Sequence, residues 1–139
     1  MQKNPSGKKL KKERQLMAIM FTDIVGYTAL MQKDEEAALA ARERHREIFN
    51  EHTEKHQGII LQYFGDGTLS VFTSSINAVK AAIQIQSAFN TSSDISLRIG
   101  IHMGDILYDN EEIIGDSVNL ASRIESIADP GSVFISEKL

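Results

Sequence analysis

The chain has 139 residues, which is enough for one domain with a hydrophobic core but too few for two. It contains no cysteine, so a disulfide framework, a thiol nucleophile and a thiolate metal site are all excluded. Any bound metal must therefore be held by carboxylates, carbonyls or the four histidines, a donor set that favours Mg²⁺ or Mn²⁺ over Zn²⁺.

The charge of the chain is divided unevenly. Residues 1–16 hold six basic side chains and one acid, so they carry +5, and because the whole chain carries −4, residues 17–139 carry −9. A body this acidic does not favour binding to a nucleic-acid backbone. We predict that residues 1–16 form a flexible basic arm and that residues 17–139 form the folded domain.

No apolar run approaches the roughly 20 residues that a membrane-spanning helix requires. The apolar run after the basic arm is too short for a signal peptide and lacks a small-residue cleavage pattern. The sequence therefore predicts a cytoplasmic protein without a membrane span.

The first predicted strand ends in a carboxylate that is followed by a glycine-containing turn. Residues 17–21 are apolar at every position, which is typical of a central strand covered on both faces. Asp23 follows near the strand's end, where a metal ion could reach it, and the backbone N–H groups of the turn at 24–28 could face phosphate oxygens. The alternative is that Asp23 only caps the next helix.

A long helix is predicted from Asp34 to His56, with Asp34 as its N-cap and Gly58 as its C-terminal glycine. His45 and His52 also lie on this helix, but no arrangement of acids typical of a metal site surrounds the histidines. We predict that they lie on a solvated helix face.

The apolar runs at 59–64 and 68–72 flank Gly65-Asp66-Gly67, which predicts a β-hairpin. Asp66 could be present only because Asp-Gly makes a tight turn. If the hairpin pairs with the first strand, however, Asp66 becomes a second carboxylate near Asp23.

Four further elements follow the hairpin: a helix at 75–89, an alternating strand at 95–103, a helix from about 116 to 128 and a short strand at 132–135. The order β-α-β-β-α-β, followed by α-β, contains the ferredoxin-like pattern. We predict an α+β fold with an antiparallel sheet and helices on one face.

The helix at 116–128 carries a polar stripe. Asn119 and Arg123 are four residues apart and share a face, which Ser122 and Ser126 extend. An apolar stripe is predicted on the other side, at Val118, Leu120, Ala121, Ile124 and Ile127.

Together, the two aspartates and the arginine are typical of the active site of an enzyme that catalyses phosphoryl transfer. Two carboxylates on adjacent strands, Asp23 and Asp66, could hold two hard metal ions, and Arg123 could stabilise charge at phosphorus. For Asn119 and Arg123 the alternative is that they are ordinary surface residues.

Three blocks of sequence, FTDIVGYT at 21–28, FGDG at 64–67 and GDSVNLASRIE at 115–125, resemble the catalytic domain of bacterial class III nucleotide cyclases, and GIHMGD at 100–105 supports them. The resemblance implies a ferredoxin-like palm that works as a homodimer with active sites shared across the interface. It also implies that the family's C-terminal part is missing from this chain.

The resemblance assigns roles residue by residue. Two Mg²⁺ or Mn²⁺ ions would be held by Asp23, Asp66 and the carbonyl of Ile24. Asn119 would orient the ribose and Arg123 would stabilise the transition state, both from the opposite protomer. The triphosphate would be held by backbone amides of Val25, Gly26, Tyr27 and Thr28.

The implied reaction is the conversion of ATP to 3′,5′-cyclic AMP and pyrophosphate. The positions that read the base in the family hold Gln62 and Glu112, which match neither the adenylate nor the guanylate pattern. Glu112 can accept from the adenine amino group and Gln62 can donate to ring N1, which favours ATP. The alternatives are a guanylate or pyrimidine nucleotide cyclase, and a catalytically silent nucleotide-binding or dimerisation module.

Overall fold

The computed structural model describes residues 14–92, 95–109 and 112–136. Within these ranges the chain forms six strands: β1 (Arg14–Ile24), β2 (Ile59–Tyr63), β3 (Gly67–Phe72), β4 (Leu97–Asp109), β5 (Glu112–Ile114) and β6 (Val133–Ile135). The helices in the same ranges are α1 (Tyr27–Lys33), α2 (Glu35–Lys55), α3 (Ser75–Ser92) and α4 (Asp116–Ser126). None of these helices is both long and apolar enough to cross a bilayer.

The predicted arm at 1–16 overlaps the first strand. Because β1 begins at Arg14, the last three residues of the predicted arm are part of the sheet. Residues 1–13 lie outside the described residues, so the flexibility of the arm stays a prediction.

The strands form one sheet in the order β2-β3-β1-β4-β5, in which all neighbours are antiparallel. β6 pairs with β4 in parallel. The first four strands of this order have the arrangement expected of a ferredoxin-like unit, so the predicted α+β fold is confirmed. β1 is central, and at Asp23 it is paired with Gly67 on one side and Arg98 on the other.

The sheet is covered on both faces. Ala18 and Met20 of β1 face the larger core, which α2 and α3 complete, whereas Met17 and Ile19 belong to a second core with Ala121 of α4. The prediction of helices on one face therefore holds for the βαββαβ unit but not for the additional helix α4. The physical reason is the unbroken apolar run in β1, because its alternating side chains need cover on both sides.

Two glycines of β4 let α4 lie directly on the sheet. A Cβ at Gly100 would collide with the backbone of Glu125, and a Cβ at Gly104 would collide with the side chain of Ser117. Side chains at these positions would push the helix away from the strand, so the two glycines fix how closely α4 approaches β1 and β4.

The chain between β1 and α2 is more helical than the sequence predicts. Gly26 adopts a left-handed conformation with φ 73°, and α1 begins directly after it. The seven residues of α1 are too few for a clear helical period, which is why only a turn is predicted there. Tyr27, Leu30 and Met31 of α1 pack on the larger core.

The C-terminal end of α2 differs from the prediction. Gln57, not Gly58, takes the left-handed conformation, with φ 64°. Gly58 is required for a different reason, because a Cβ there would collide with the ring of Phe72 and the methyl group of Thr53. The predicted N-cap is confirmed, since the side chain of Asp34 accepts from the amide of Ala37 at 3.1 Å.

The prediction that the histidines of α2 lie on a solvated face is wrong for His45, which is buried. It packs edge-on against Phe49 and Phe89 between α2, α3 and β1. His52 and His56 lie at the edge of the α2–α3 interface and each contacts the side-chain oxygen of Gln84, at 3.1 and 3.0 Å.

Candidate active site

Asp23 and Asp66 line the same cavity. The hairpin between β2 and β3 is held against the end of β1 by a hydrogen bond from the Ile24 amide to the Asp66 carbonyl, at 2.8 Å. Gly67 allows this approach, because a Cβ there would collide with the carbonyl of Thr22. The cavity has a volume of about 260 Å³. It is lined by Phe21, Thr22, Asp23, Phe64, Asp66, Gly67, Ser122 and Glu125.

The carboxyl group of Asp23 is held in a partly buried position. The Nη1 atom of Arg98 lies 3.9 Å from its Oδ1 atom, which is too long for a hydrogen bond, and Oδ1 is buried without a hydrogen-bond partner among the described residues. Burial raises the pKa of Asp23, whereas a hydrogen bond with Glu125 and the charge of Arg98 oppose that rise.

Glu125 is a site residue that the sequence did not reveal. It is 7% exposed, and its carboxyl group lies beside that of Asp23. Burial, together with the charge of Asp23, raises the pKa of Glu125 to about 8. Burial beside a second carboxyl group therefore favours the neutral form of Glu125.

The spacing on α4 explains why Glu125 is buried. It lies four residues after Ala121 and seven after Val118, so it shares their stripe against the sheet. The predicted apolar stripe was wrong at Leu120 and Ile127, which are 40% and 71% exposed. A helical wheel that counted position alone would have placed Glu125 on the buried side.

The hairpin that carries Asp66 is supported from α2. Arg46 donates from Nη2 to the Phe64 carbonyl at 3.0 Å, and its guanidinium group lies 4.8 Å from the centre of the Tyr63 ring. Tyr63 in turn donates to the side chain of Asn50 at 2.6 Å. On the cavity side, the Phe64 ring stacks on Phe21 with centroids 6.1 Å apart.

A buried polar chain lies on the opposite face of the sheet from Asp23. Thr22 Oγ1 is 2.8 Å from His45 Nε2 and 2.6 Å from Thr68 Oγ1, so it bridges β1 and β3 one residue before Asp23 and Gly67 pair. Burial, assisted by the charge of Arg46, lowers the pKa of His45 to about 4. His45 is therefore neutral at pH 7.

The predicted phosphate-binding amides are not all available. The amide of Val25 donates to the Ser96 carbonyl at 2.9 Å, which removes it from the predicted set. The amides of Gly26, Tyr27 and Thr28 lie at the start of α1, where helical amides have no partner within the helix, and none of them donates to another backbone group in the described part of the chain.

Asn119 and Arg123 are both exposed on α4, and neither lines the cavity of Asp23. Ser122, which lies between them in sequence, does line it. One protomer therefore brings Asp23 and Asp66 together but does not bring them together with Asn119 and Arg123.

The two predicted base-reading residues lie on different strands. Gln62 is exposed on β2, next to a register shift in its pairing with β3. Glu112 begins β5, at the other end of the strand order, and its side chain lies outside the described residues, as do residues 110–111 of the preceding acidic loop.

A divalent cation fits this donor set in part. Asp23 and Asp66 line one cavity, and hard cations prefer carboxylate oxygen ligands. Across the described ranges, no group of three or more acidic or histidine side chains is arranged to hold an ion by itself. Two side chains leave ligand positions for backbone carbonyls, water or substrate phosphates, as is usual for Mg²⁺.

The whole domain matches a known family. The model of the adenylate and guanylate cyclase catalytic domain covers residues 10–139. The chain belongs to this family. The resemblance predicted from the three sequence blocks is thereby confirmed.

The cyclase domain has curated relatives in several bacteria. It is 39% identical over 132 residues to putative adenylate cyclase 3 of Rhizobium meliloti, a match that covers 89% of this chain and 22% of that protein. It is 29% identical over 135 residues to an adenylate cyclase of Anabaena cylindrica, covering 80% of this chain and 27% of that protein. The chain thus spans about a fifth to a quarter of the length of these relatives.

Solved structures confirm the fold. An adenylate/guanylate cyclase/hydrolase from Silicibacter pomeroyi is 34% identical, with a TM-score of 0.82 over 91% of this chain and 78% of that one. The adenylyl cyclase CyaB from P. aeruginosa is 24% identical, with a TM-score of 0.81 over 93% of this chain and 80% of that one. The second likeness concerns the fold alone.

Proposed function

We propose that this cyclase domain converts ATP to 3′,5′-cyclic AMP and pyrophosphate as a homodimer that uses two Mg²⁺ or Mn²⁺ ions. The observation that carries the proposal is the division of the predicted residues into two groups. Asp23 and Asp66 share a cavity, whereas Asn119 and Arg123 are exposed outside it on α4.

The metal half-site consists of Asp23, Asp66 and the carbonyl of Ile24. When bound, the ions would activate the ribose hydroxyl and neutralise the leaving pyrophosphate. The chain's contribution is rigid placement, because backbone pairing to Gly67 and Arg98 fixes Asp23, and the Ile24–Asp66 hydrogen bond fixes the hairpin.

The triphosphate half of the substrate is assigned to the backbone amides of Gly26, Tyr27 and Thr28. Donors of this kind bind anionic oxygens without adding a mobile charge. The left-handed Gly26 turns the chain from β1 into α1 and so brings these amides next to the strand end that carries Asp23.

The second half-site comes from the partner protomer. Asn119 would hold the ribose, and Arg123 would stabilise charge on the α-phosphate while the 3′-oxygen attacks it, loses its proton and displaces pyrophosphate. Exposed Leu120 of α4 and exposed Ile127, which directly follows the helix, form an apolar surface that suits burial against a second copy of the chain.

The preference for ATP rests on hydrogen-bond chemistry. An ionised Glu112 accepts from the exocyclic amino group of adenine but cannot donate to the guanine carbonyl, and the Gln62 amide donates to N1 of adenine. Cytosine presents a similar edge, so CTP is the nearest competitor, and the adenylate cyclase relatives support ATP.

The proposal is tested by offering the purified chain ATP, GTP, CTP and UTP separately with Mn²⁺ and identifying the cyclic product by mass spectrometry. We expect cyclic AMP from ATP, and a value of kcat/KM for the other nucleotides at least about tenfold lower, since one misplaced donor–acceptor pair costs about 1.4 kcal/mol or more. Turnover of GTP or CTP in preference to ATP would overturn the assignment of Gln62 and Glu112.

A further inference from the structure

Two histidines at the end of α2 form a cluster with a side chain of α3. His52 and His56 are four residues apart, so their side chains share one face of the chain in successive turns. The Nδ1 atom of His52 and the Nε2 atom of His56 lie 3.1 and 3.0 Å from one atom, Oε1 of Gln84. Two imidazole nitrogens therefore converge on a single point between the two helices.

The other ring nitrogen of His52 faces a carboxylate, since its Nε2 atom lies 3.3 Å from Oε2 of Glu51. A neutral imidazole has one N–H group, so it can donate to Gln84 or to Glu51 but not to both. A second proton would remove this conflict on His52 alone, whereas a cation at Nδ1 would also use the nearby nitrogen of His56. The N–H group of His52 would then donate to Glu51, and a carboxylate in this role is usual around ligating histidines.

The surroundings of the cluster favour a cation. His52 lies in the last turn of α2, where the free carbonyl groups of the helix attract positive charge. Glu51 adds a formal negative charge, whereas the opposing charge of Lys55 is exposed to solvent. His56 and Gln84 are partly exposed, so an ion can reach the cluster without an opening of the core.

Imidazole nitrogens select a different ion from the one expected in the cavity of Asp23. They suit Zn²⁺, which accepts four ligands in a tetrahedral arrangement, better than they suit Mg²⁺. The cluster offers two nitrogens and one amide oxygen, which leaves one position for water. It is smaller than a structural zinc site, and across the described ranges no three histidine or acidic side chains are placed to hold an ion. We therefore expect the ion to bind reversibly.

We propose that His52 and His56 bind Zn²⁺ through Nδ1 and Nε2, with Oε1 of Gln84 as the third ligand and Glu51 as the carboxylate that orients His52. The site is separate from the cavity of Asp23, whose lining in the described part of the chain includes no residue of α2 or α3. The proposal therefore does not depend on the cyclase reaction. Because the ligands come from both helices, the ion would join α2 to α3 beside the larger core.

The test measures Zn²⁺ binding by isothermal titration calorimetry in the 139-residue chain and in matched variants. His52→Gln and His56→Gln each remove one imidazole but keep a polar side chain that can bond to Gln84. We expect each change to raise the Kd at least about tenfold, because one nitrogen ligand is lost. His102→Gln is the control, since it removes a histidine of β4 outside the cluster, and it should keep the Kd within about twofold of the wild type.

The role of Glu51 has its own pair of variants. Glu51→Gln should raise the Kd about fivefold, less than is usual for a buried orienting group, because Glu51 is exposed. Glu43→Gln removes the same charge from an exposed position two turns earlier on α2 and should leave the Kd within about twofold. Equal values for the two variants would show that Glu51 does not orient His52.

Long-range ¹H–¹⁵N spectra of the imidazoles distinguish ligation from hydrogen bonding. Addition of Zn²⁺ to the wild type should shift Nδ1 of His52 and Nε2 of His56 and leave His45 and His102 unchanged. These spectra decide alone if a histidine variant does not fold.

If the wild type binds no Zn²⁺, or if both histidine variants bind it equally well, the site is wrong and the cluster is only a hydrogen-bonded contact between α2 and α3. Binding that Asp66→Asn abolishes and His52→Gln preserves would assign the ion to the cavity of Asp23, which would also overturn the proposal.

Discussion

Asp23 and Glu125 place two carboxyl groups next to each other in a partly buried site, an arrangement that costs free energy. Arg98, whose Nη1 atom lies 3.9 Å from Oδ1 of Asp23, offsets part of this cost. A divalent cation beside Asp23 would offset more. The cost of the pair is a reason to expect that the site exists for binding rather than for stability.

The first prediction at the residue scale concerns Asp66. We expect Asp66→Asn to reduce cyclic nucleotide formation by at least about a hundredfold, because the hairpin loses a carboxylate of the proposed metal half-site. Its Tm should change by less than about 2 °C, since Asp66 is only partly buried and its backbone carbonyl makes the bond to Ile24. An exposed aspartate, Asp129, provides the matched control.

In the control, Asp129→Asn should keep wild-type turnover and Tm. An active Asp66→Asn protein would restore the simpler interpretation that this aspartate is only a turn residue.

The second residue-scale prediction concerns pH. The pKa of His45 falls from 6.5 in the unfolded chain to about 4 in the folded one, so between these values the unfolded chain binds more protons and stability falls as the pH falls. The titration of His45 should therefore lower the free energy of unfolding by about 3 kcal/mol as the pH falls from 7 to 4. Urea unfolding at a series of pH values measures this loss.

Comparison with His45→Gln isolates the contribution, because glutamine can still bond to Thr22 but does not titrate. We expect the difference in stability between the two proteins to change by about 3 kcal/mol across this range. A difference that stays constant with pH would show that His45 is not the titrating group.

At the scale of elements, the sequence predicted most strands and helices but not the side of the sheet that α4 covers. The apolar residues of the strands and of the long helices recur with clear periods. Asp23 lies at the end of a predicted strand, and Asp66 lies in a predicted hairpin turn. Glu125 was not predicted as a site residue, because the buried side of α4 was inferred from apolar residues alone. In the folded chain, Glu125 lies on that buried side, next to Asp23. The burial of His45 was not predicted either, because its hydrogen-bond partner Thr22 is 23 residues away in the sequence.

The position of α4 gives the prediction at this scale. We expect Gly100→Ala to lower the unfolding free energy by about 2 kcal/mol, because the added methyl group would collide with the Glu125 backbone. Gly65→Ala is the matched control, since a Cβ at Gly65 meets no atom within 4 Å. Urea unfolding should show the control within about 0.5 kcal/mol of the wild type.

If Gly100→Ala were as stable as Gly65→Ala, α4 would lie farther from β4 than described here. The contact between Glu125 and Asp23 would then lose its structural basis.

In the whole molecule, the residues of the proposed site lie in two separate regions of one chain. The residues on the cavity and the residues exposed on α4 are complementary in chemistry but separate in space. The proposed two-fold symmetric dimer would join these regions twice, because each protomer would give one region to each site. The sequence motifs indicated the residues of the proposed site. The periodicity and spacing of residues within one chain cannot show how two copies of the chain pack against each other.

In the proposed dimer, Asp23 and Arg123 of different protomers serve one active site, and mixed-variant complementation tests this arrangement. Asp23→Ala and Arg123→Ala should each be inactive alone. After mixing and subunit exchange, we expect about a quarter of wild-type cyclic AMP formation, because half of the dimers are heterodimers with one of two sites intact. A mixture of Asp23→Ala with Asp66→Ala should stay inactive, since both changes affect the same half-site. No recovery in the first mixture, with heterodimers confirmed by native mass spectrometry, would contradict the shared site.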